Sequence, residues 1–227
     1  MSLAGYISFH QAAQPISAAV TKFGGQPVWF TGPEWPVSRR TGEPMLFIGQ
    51  IALDREIFGP VAREMAYVFI TEQNRLLGPY NFDPDAGENA VVIQPGVNSH
   101  LHTRPLLQGP SIYRWEKGRR KFLLFRERLR VPCEYSVTLD KKQDPDDLDW
   151  NDDDPYAKVP HDMDDCKIGG LPVFIQDEER PFADSTKLLL QLVWHKIPFH
   201  LDLGDAGSLY TFLSQDGRSG KLTWQCY

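Results

Sequence analysis

Histidines and aspartates are the first residues in this chain whose types and spacing could do chemistry. His195 and His200 stand near Asp202 and Asp205, and His100 is two positions from His102. Imidazole and carboxylate so arranged can hold a divalent cation, but neither group brings a third ligand at zinc-site spacing, and no metal is assigned. Asp147, Asp149, Asn151 and Asp153 alternate oxygens as a calcium loop does. Asp152 then falls where glycine is needed and Lys158 where glutamate is needed. Gly24-Gly25 and Gly169-Gly170 could cradle a phosphate on backbone N–H groups. They lack the Lys-Ser/Thr of a P-loop and the GxGxxG spacing, and extended segments follow them, so they read as tight turns admitting a close backbone crossing. Ser208 has no GxSxG setting, Cys133 has no base nearby in sequence, and the carboxylates are too clustered to nominate an acid–base pair. No catalytic set and no cofactor motif emerge, and an enzyme is the least supported class.

Binding chemistry is better represented. Residues 114–130 carry eight Lys and Arg against Glu116 and Glu127, a net of +6, with Tyr113, Trp115, Phe122 and Phe125 interleaved. If the segment is a strand, Arg126, Arg128 and Arg130 share one face and could contact RNA by charge and stacking. An acidic block follows within about ten residues and could neutralise it internally. Residues 140–165 hold eleven Asp against Lys141, Lys142 and Lys158, a net of −8, so the formal −6 of the whole leaves +2 elsewhere. Trp29, Trp35, Tyr67 and Tyr210 are candidate contacts for a protein partner, since Trp and Tyr dominate interface hot spots, with core packing as the alternative for each. Gln50 and Gln191 lie inside apolar runs. A buried amide must find partners, so each bonds backbone around its own Gly-Gly turn or faces a shared groove.

The elements that must position these residues show a repeat. Lys22-Phe-Gly24-Gly25-Gln-Pro27-Val28-Trp29-Phe30 returns as Lys167-Ile-Gly169-Gly170-Leu-Pro172-Val173-Phe174-Ile175. Each copy is followed by an apolar run with one glutamine, then by Tyr67-Val-Phe69 or Tyr210-Thr-Phe212. The expected organisation is a single domain over 1–227. A first half-repeat spans 21–110, a segment of basic residues, strand and acidic loop spans 111–165, and a second half-repeat spans 166–227. The expected fold class is β-rich α+β, with duplicated antiparallel sheet units in one compact domain and few short helices.

Along the chain, residues 1–20 suggest a short helix broken at Pro15. Residues 45–53, 65–70, 90–94, 121–131 and 134–139 suggest strands, and Asp144 to Pro160 a surface loop. Asp205-Ala-Gly207 reads as a turn feeding the Tyr210 strand, with the aspartate bonding local backbone. At 227 residues, folding buries roughly 70–75% of the unfolded surface, so no disulfide or metal is required. Three cysteines without CxxC spacing fit a reducing, cytoplasmic setting, and no stretch reaches the ~18 apolar residues of a membrane span.

With both Gly-Gly-x-Pro units, the glutamine-bearing runs, Gly204-Asp205-Ala206-Gly207-Ser-Leu-Tyr210-Thr-Phe212 and Trp224-Gln-Cys-Tyr227 in view, the chain resembles the bacterial YwqG-like family over about residues 20–227. That family is a domain of unknown function, and the resemblance implies a β-rich duplicated fold. More distantly the units look like those of the programmed-cell-death-2 proteins, chaperones of a ribosomal protein, while bacterial relatives have been proposed as immunity proteins. The implied role is non-catalytic protein binding, with RNA binding through 114–130 as the alternative and no membrane partner. Arg180-Pro181 stands where the first copy has Trp35-Pro36, and Phe174 where it has Trp29.

Overall fold

Strands supply nearly all the regular structure in the computed structural model, which describes residues 2–60, 63–72, 81–122, 125–145, 164–182 and 186–227. The strands are β1 (Ser2–Gln11), β2 (Lys22–Gly24), β3 (Trp35–Pro36), β4 (Leu46–Ala52), β5 (Met65–Ile70), β6 (Asn89–Gln94) and β7 (Thr103–Arg104). They continue with β8 (Tyr113–Phe122), β9 (Phe125–Pro132), β10 (Glu134–Asp144), β11 (Lys167–Gly169), β12 (Lys187–Val193), β13 (Ser208–Leu213) and β14 (Gly220–Gln225). Among the described residues one four-residue helix, α1 (Arg55–Phe58), interrupts them; Asp54 caps it by accepting from Glu56 N–H.

Ten strands close into an antiparallel barrel in the order β1-β10-β2-β4-β5-β6-β14-β13-β12-β11, with β11 returning to β1. This overturns the expected β-rich α+β fold of duplicated sheet units. The strands β1 and β10 pair over ten residues and bridge β2 to β11, and β14 meets β6 at Gly220 and Val91. The sheet therefore closes on itself, which removes free edges that separate sheets would expose. The short helix expected within residues 1–20 is also corrected. Ser2–Gln11 is a strand because Ile7 and Phe9 join the core while Ser8 and His10 alternate with them, and pairing with β10 supplies hydrogen bonds that a lone short helix lacks.

Alternation splits the side chains of each barrel strand between two environments. From β5, Ala66, Val68 and Ile70 fill the interior beside Ile48, Ile51, Ile93 and Leu192. The segment 194–203 adds Phe199, which meets Phe9, Phe23 and Tyr135. The opposite face of β4–β6 carries Met65, Tyr67 and Phe69, which pack with Trp35, Met45, Phe47 and Trp29 as a first flank. A smaller second flank gathers Phe174, Leu188, Tyr210 and Phe212, with Phe182 against them. Beyond the barrel, β3 pairs β7, and β8 pairs β9 as a separate two-stranded arm.

Candidate functional site

Two polar networks and one charged aromatic cluster hold the residues with chemical potential. In the first network Gly24 and Gly25 take φ of +74° and +63°, which only glycine adopts freely, and Gly25 N–H donates to Cys133 O at 3.0 Å. The turn leaves Lys22 buried on the face opposite Phe23. Its ammonium donates to Glu134 Oε1 at 2.6 Å and to the carbonyls of Ile16 and Gln26 at 2.9 and 2.7 Å, so every proton is used. Each of β4, β5 and β6 then contributes one polar side chain that grips the segment after the turn. Gln50 accepts from Val28 N–H at 2.8 Å and donates to Val20 O at 2.9 Å. The Tyr67 hydroxyl donates to Val28 O and accepts from Phe30 N–H. Gln94 accepts from Phe30 and Thr31 N–H and donates to Gly32 O and Glu34.

The second network repeats the lysine–carboxylate pair and the three side-chain grips. Gly169 and Gly170 take φ of +71° and +75°, and buried Lys167 pairs with Asp144 at 3.0 Å. Gln191 accepts from Val173 N–H at 2.8 Å and donates to Asp165 O at 3.0 Å. The Tyr210 hydroxyl donates to Val173 O at 2.6 Å, and Gln225 accepts from Ile175 and Gln176 N–H. Burial pushes the phenols of Tyr67 and Tyr210 well above their ordinary range, which keeps both as neutral donors. Asp144, expected to open a surface loop, is instead buried at the end of β10, where it also accepts from Leu171 N–H and the Tyr6 hydroxyl.

Of the residues expected to contact a partner, Trp29, Trp35, Gln50 and Tyr67 meet on the first flank and Gln191 and Tyr210 on the second. Trp35 is fully buried and donates Nε1–H to Met45 O at 2.9 Å, while Trp29 packs on Tyr67 and Phe69 at 4.7 and 6.1 Å. Sequence reasoning gave no role to Lys22, Lys167, Gln94 or Gln225, nor to the carboxylates of Glu134 and Asp144. The available signal was a lysine two positions before each glycine pair and a glutamine closing each third strand.

The β8–β9 arm brings together residues that stand far apart in the chain. Register sets Trp115 opposite Arg130 and Lys117 opposite Arg128. The guanidiniums of Arg128 and Arg130 lie 5.7 and 5.4 Å from the centre of the Trp115 ring, and Arg130 also covers Tyr113 at 4.6 Å. Glu72 fixes the base of the cluster, accepting from the Tyr113 hydroxyl at 2.8 Å and pairing with Arg130 at 2.8 Å. His200 donates its backbone N–H to Tyr113 O and sets its ring 5.3 and 5.7 Å from those of Tyr113 and Trp115. A small cavity beside it, lined by Thr71, Glu72, Tyr113, His200 and Asp202 among others, has room for about one water. Arg126 lies in the strand as alternation anticipated.

The remaining candidates resolve simply. Cys133 and Cys166 are buried, and burial pushes their thiols up to about 11 and about 12, far from the thiolate range a nucleophile needs. Asp205 and Gly207 shape the bend before β13 through backbone carbonyls, which accept from Tyr227 and Trp194 N–H, while the side chain that bonds local backbone belongs to Asp202. Among the described residues no cluster of three metal-ligating side chains occurs. The alternating Asp147–Asp153 oxygens lie outside the described residues. No described helix is long and apolar enough to cross a membrane.

A family model described as a domain of unknown function, DUF1963, matches residues 21–218. No curated protein matches the chain.

Proposed function

We propose, on the premise that the chain belongs to the DUF1963 family, that it is a non-catalytic binding module whose contact element is the β8–β9 arm. The observation that carries this reading is the exposed face of the arm, where Lys117, Arg128 and Arg130 surround Trp115 outside the barrel. The barrel in this reading is a scaffold, with the Gly-Gly networks holding its loops. Likeness to the YwqG-like and programmed-cell-death-2 proteins supports a chaperone or immunity type of role in the cytoplasm. The matched networks also support descent of residues 21–110 and 166–227 from one ancestral unit, now parts of a single barrel.

A second reading has the first flank open onto a client strand, so that Trp29, Trp35, Gln50 and Tyr67 become contacts, as Gln191 and Tyr210 would on the other flank. It is favoured by Trp29 Nε1, which is buried without an acceptor among the described residues. The two readings separate on one variant, in which residues 116–129 are replaced by Asn-Gly to join Trp115 to Arg130 as a tight hairpin. The arm reading expects an almost unchanged thermal midpoint and loss of stoichiometric partner capture. Undiminished capture by that variant overturns the arm reading in favour of the flank.

A further inference from the structure

We infer that the arm binds single-stranded nucleic acid, with Lys117 and Arg128 neutralising phosphates and Trp115 supplying a stacking surface. This rests on the reading of the arm as the contact element and names the chemistry of its ligand.

The first ground is unfavourable charge within the arm itself. Antiparallel register places Lys117 directly opposite Arg128. Like charges facing each other across a strand pair are destabilising. Arg130 is answered by Glu72, but among the described residues neither Lys117 nor Arg128 has a carboxylate partner. An external polyanion relieves that repulsion and gains two charge-assisted contacts.

The second ground selects the kind of polyanion. Trp115 is 37% exposed in the middle of these cations, with the Arg128 and Arg130 guanidiniums packed over its ring. A guanidinium held against an aromatic face loses little freedom when its N–H edge meets a phosphate. Strand geometry spaces Arg128 and Arg130 about 7 Å apart on one face, a basic track beside an aromatic surface. Cationic tracks with exposed aromatic rings are how sequence-tolerant single-strand binders hold backbone and bases together. An acidic polypeptide would use the cations and leave Trp115 idle.

The test is fluorescence anisotropy with labelled oligouridine and oligodeoxythymidine, titrated with the intact chain between about 50 and 200 mM salt. Polyglutamate of matched charge serves as competitor. Both oligonucleotides are expected to bind, with a log–log salt slope steeper than about −1.4 if at least two phosphates are neutralised. Joint substitution Lys117→Ala and Arg128→Ala removes about 1.4 from that slope. Trp115→Ala weakens binding roughly tenfold without changing the slope, since a base stacks without releasing counterions. Preference for one oligonucleotide over the other identifies RNA or DNA as the ligand and upholds the inference.

The inference is overturned by absent binding at the lowest salt, by variants that bind as the unaltered chain does, or by polyglutamate competing equally. If oligonucleotides fail while the Asn-Gly arm replacement still abolishes capture of a protein, the arm reading stands and its ligand is an acidic protein. If that replacement changes no binding at all, the arm reading falls with it.

Discussion

The two glycine-pair networks share three side-chain grips but differ in what covers them. Around Gly24-Gly25 the chain is gripped by Gln50, Tyr67 and Gln94; around Gly169-Gly170 by Gln191, Tyr210 and Gln225. Above the first grip Trp29 lies on Phe69 at 6.1 Å and 12°; above the second Phe174 lies on Phe212 at 6.3 Å and 18°. The smaller ring keeps the stacking while the flank around it shrinks, among the described residues, from eight buried apolar residues to four. Chain path is therefore set by the polar side chains, which must satisfy specific backbone groups. The apolar cover has only to fill volume and tolerates change. The ion pairs differ in one further respect. Lys167 and Asp144 are both almost wholly buried, whereas the Glu134 side chain retains 12% exposure beside Lys22.

That difference gives the largest expected effect. Lys167→Met leaves a carboxylate without its cation in the interior and should cost about 5 kcal/mol, the upper end of the range for broken buried pairs. Lys22→Met should fall near the lower end, about 3 kcal/mol, because Glu134 can still reach water. Urea unfolding at neutral pH measures both, and equal losses would break the link between burial and cost. Alanine at the first glycine of each pair gives a smaller contrast. A methyl on Gly24 would sit 2.2 Å from the backbone oxygen of Cys133, and one on Gly169 would sit 2.2 Å from Ile57 Cγ2 and 2.9 Å from the backbone oxygen of Leu3. Both add left-handed strain of about 1–3 kcal/mol, but the Ile57 side chain can turn aside and the Leu3 carbonyl is encroached on far less than that of Cys133. Gly24→Ala should thus lower the unfolding midpoint more than Gly169→Ala, and the reverse order would contradict these contacts.

The smallest effect belongs to the arm base, which has no partner in the second network. Burial holds the His200 imidazole below its ordinary value; Asp202 and Glu72 oppose the shift and Arg130 and Arg128 reinforce it. The unfolded chain therefore takes up this proton first. Its contribution to stability is intact above about pH 6.5 and is lost as pH falls from there towards the folded value. His100 acts in the same direction through its own burial. His200→Asn should flatten, without abolishing, the decline in unfolding free energy on that acid limb, and an unchanged decline would remove His200 from the account.

Local pattern made several strands legible: β4, β5 and β6 fall on the apolar runs 45–53, 65–70 and 90–94. β10 begins where 134–139 puts it but runs on to Asp144, and the single stretch 121–131 is divided between the end of β8 and β9. β1 was obscured because Ala4 and Tyr6 stand among its outward positions and blur the contrast with Ile7 and Phe9. Closure could not be read, since it rests on pairings such as Ser2 with Asp144, whose contributing residues share no local signal. The buried anchors were hidden differently. Asp144 is one of eleven aspartates between 140 and 165, and only its place at the end of a strand distinguishes it. On the arm, the arginine stripe was visible, but Trp115 reaches it across the ladder and Glu72 and His200 reach it from other elements.

Glu134 and Asp144 begin and end a single strand, β10, so both lysine anchors hang from one ruler about 34 Å long. Adding or removing one residue between them would turn one carboxylate to the other side of the barrel wall while its twin stayed in place. Exposed positions of β10 such as Thr138 and Asp140 consequently tolerate a change of residue but not of number, while Val137 and Leu139 between them pack on the core. A stretch of surface that looks dispensable sets the distance between the two lysine anchors.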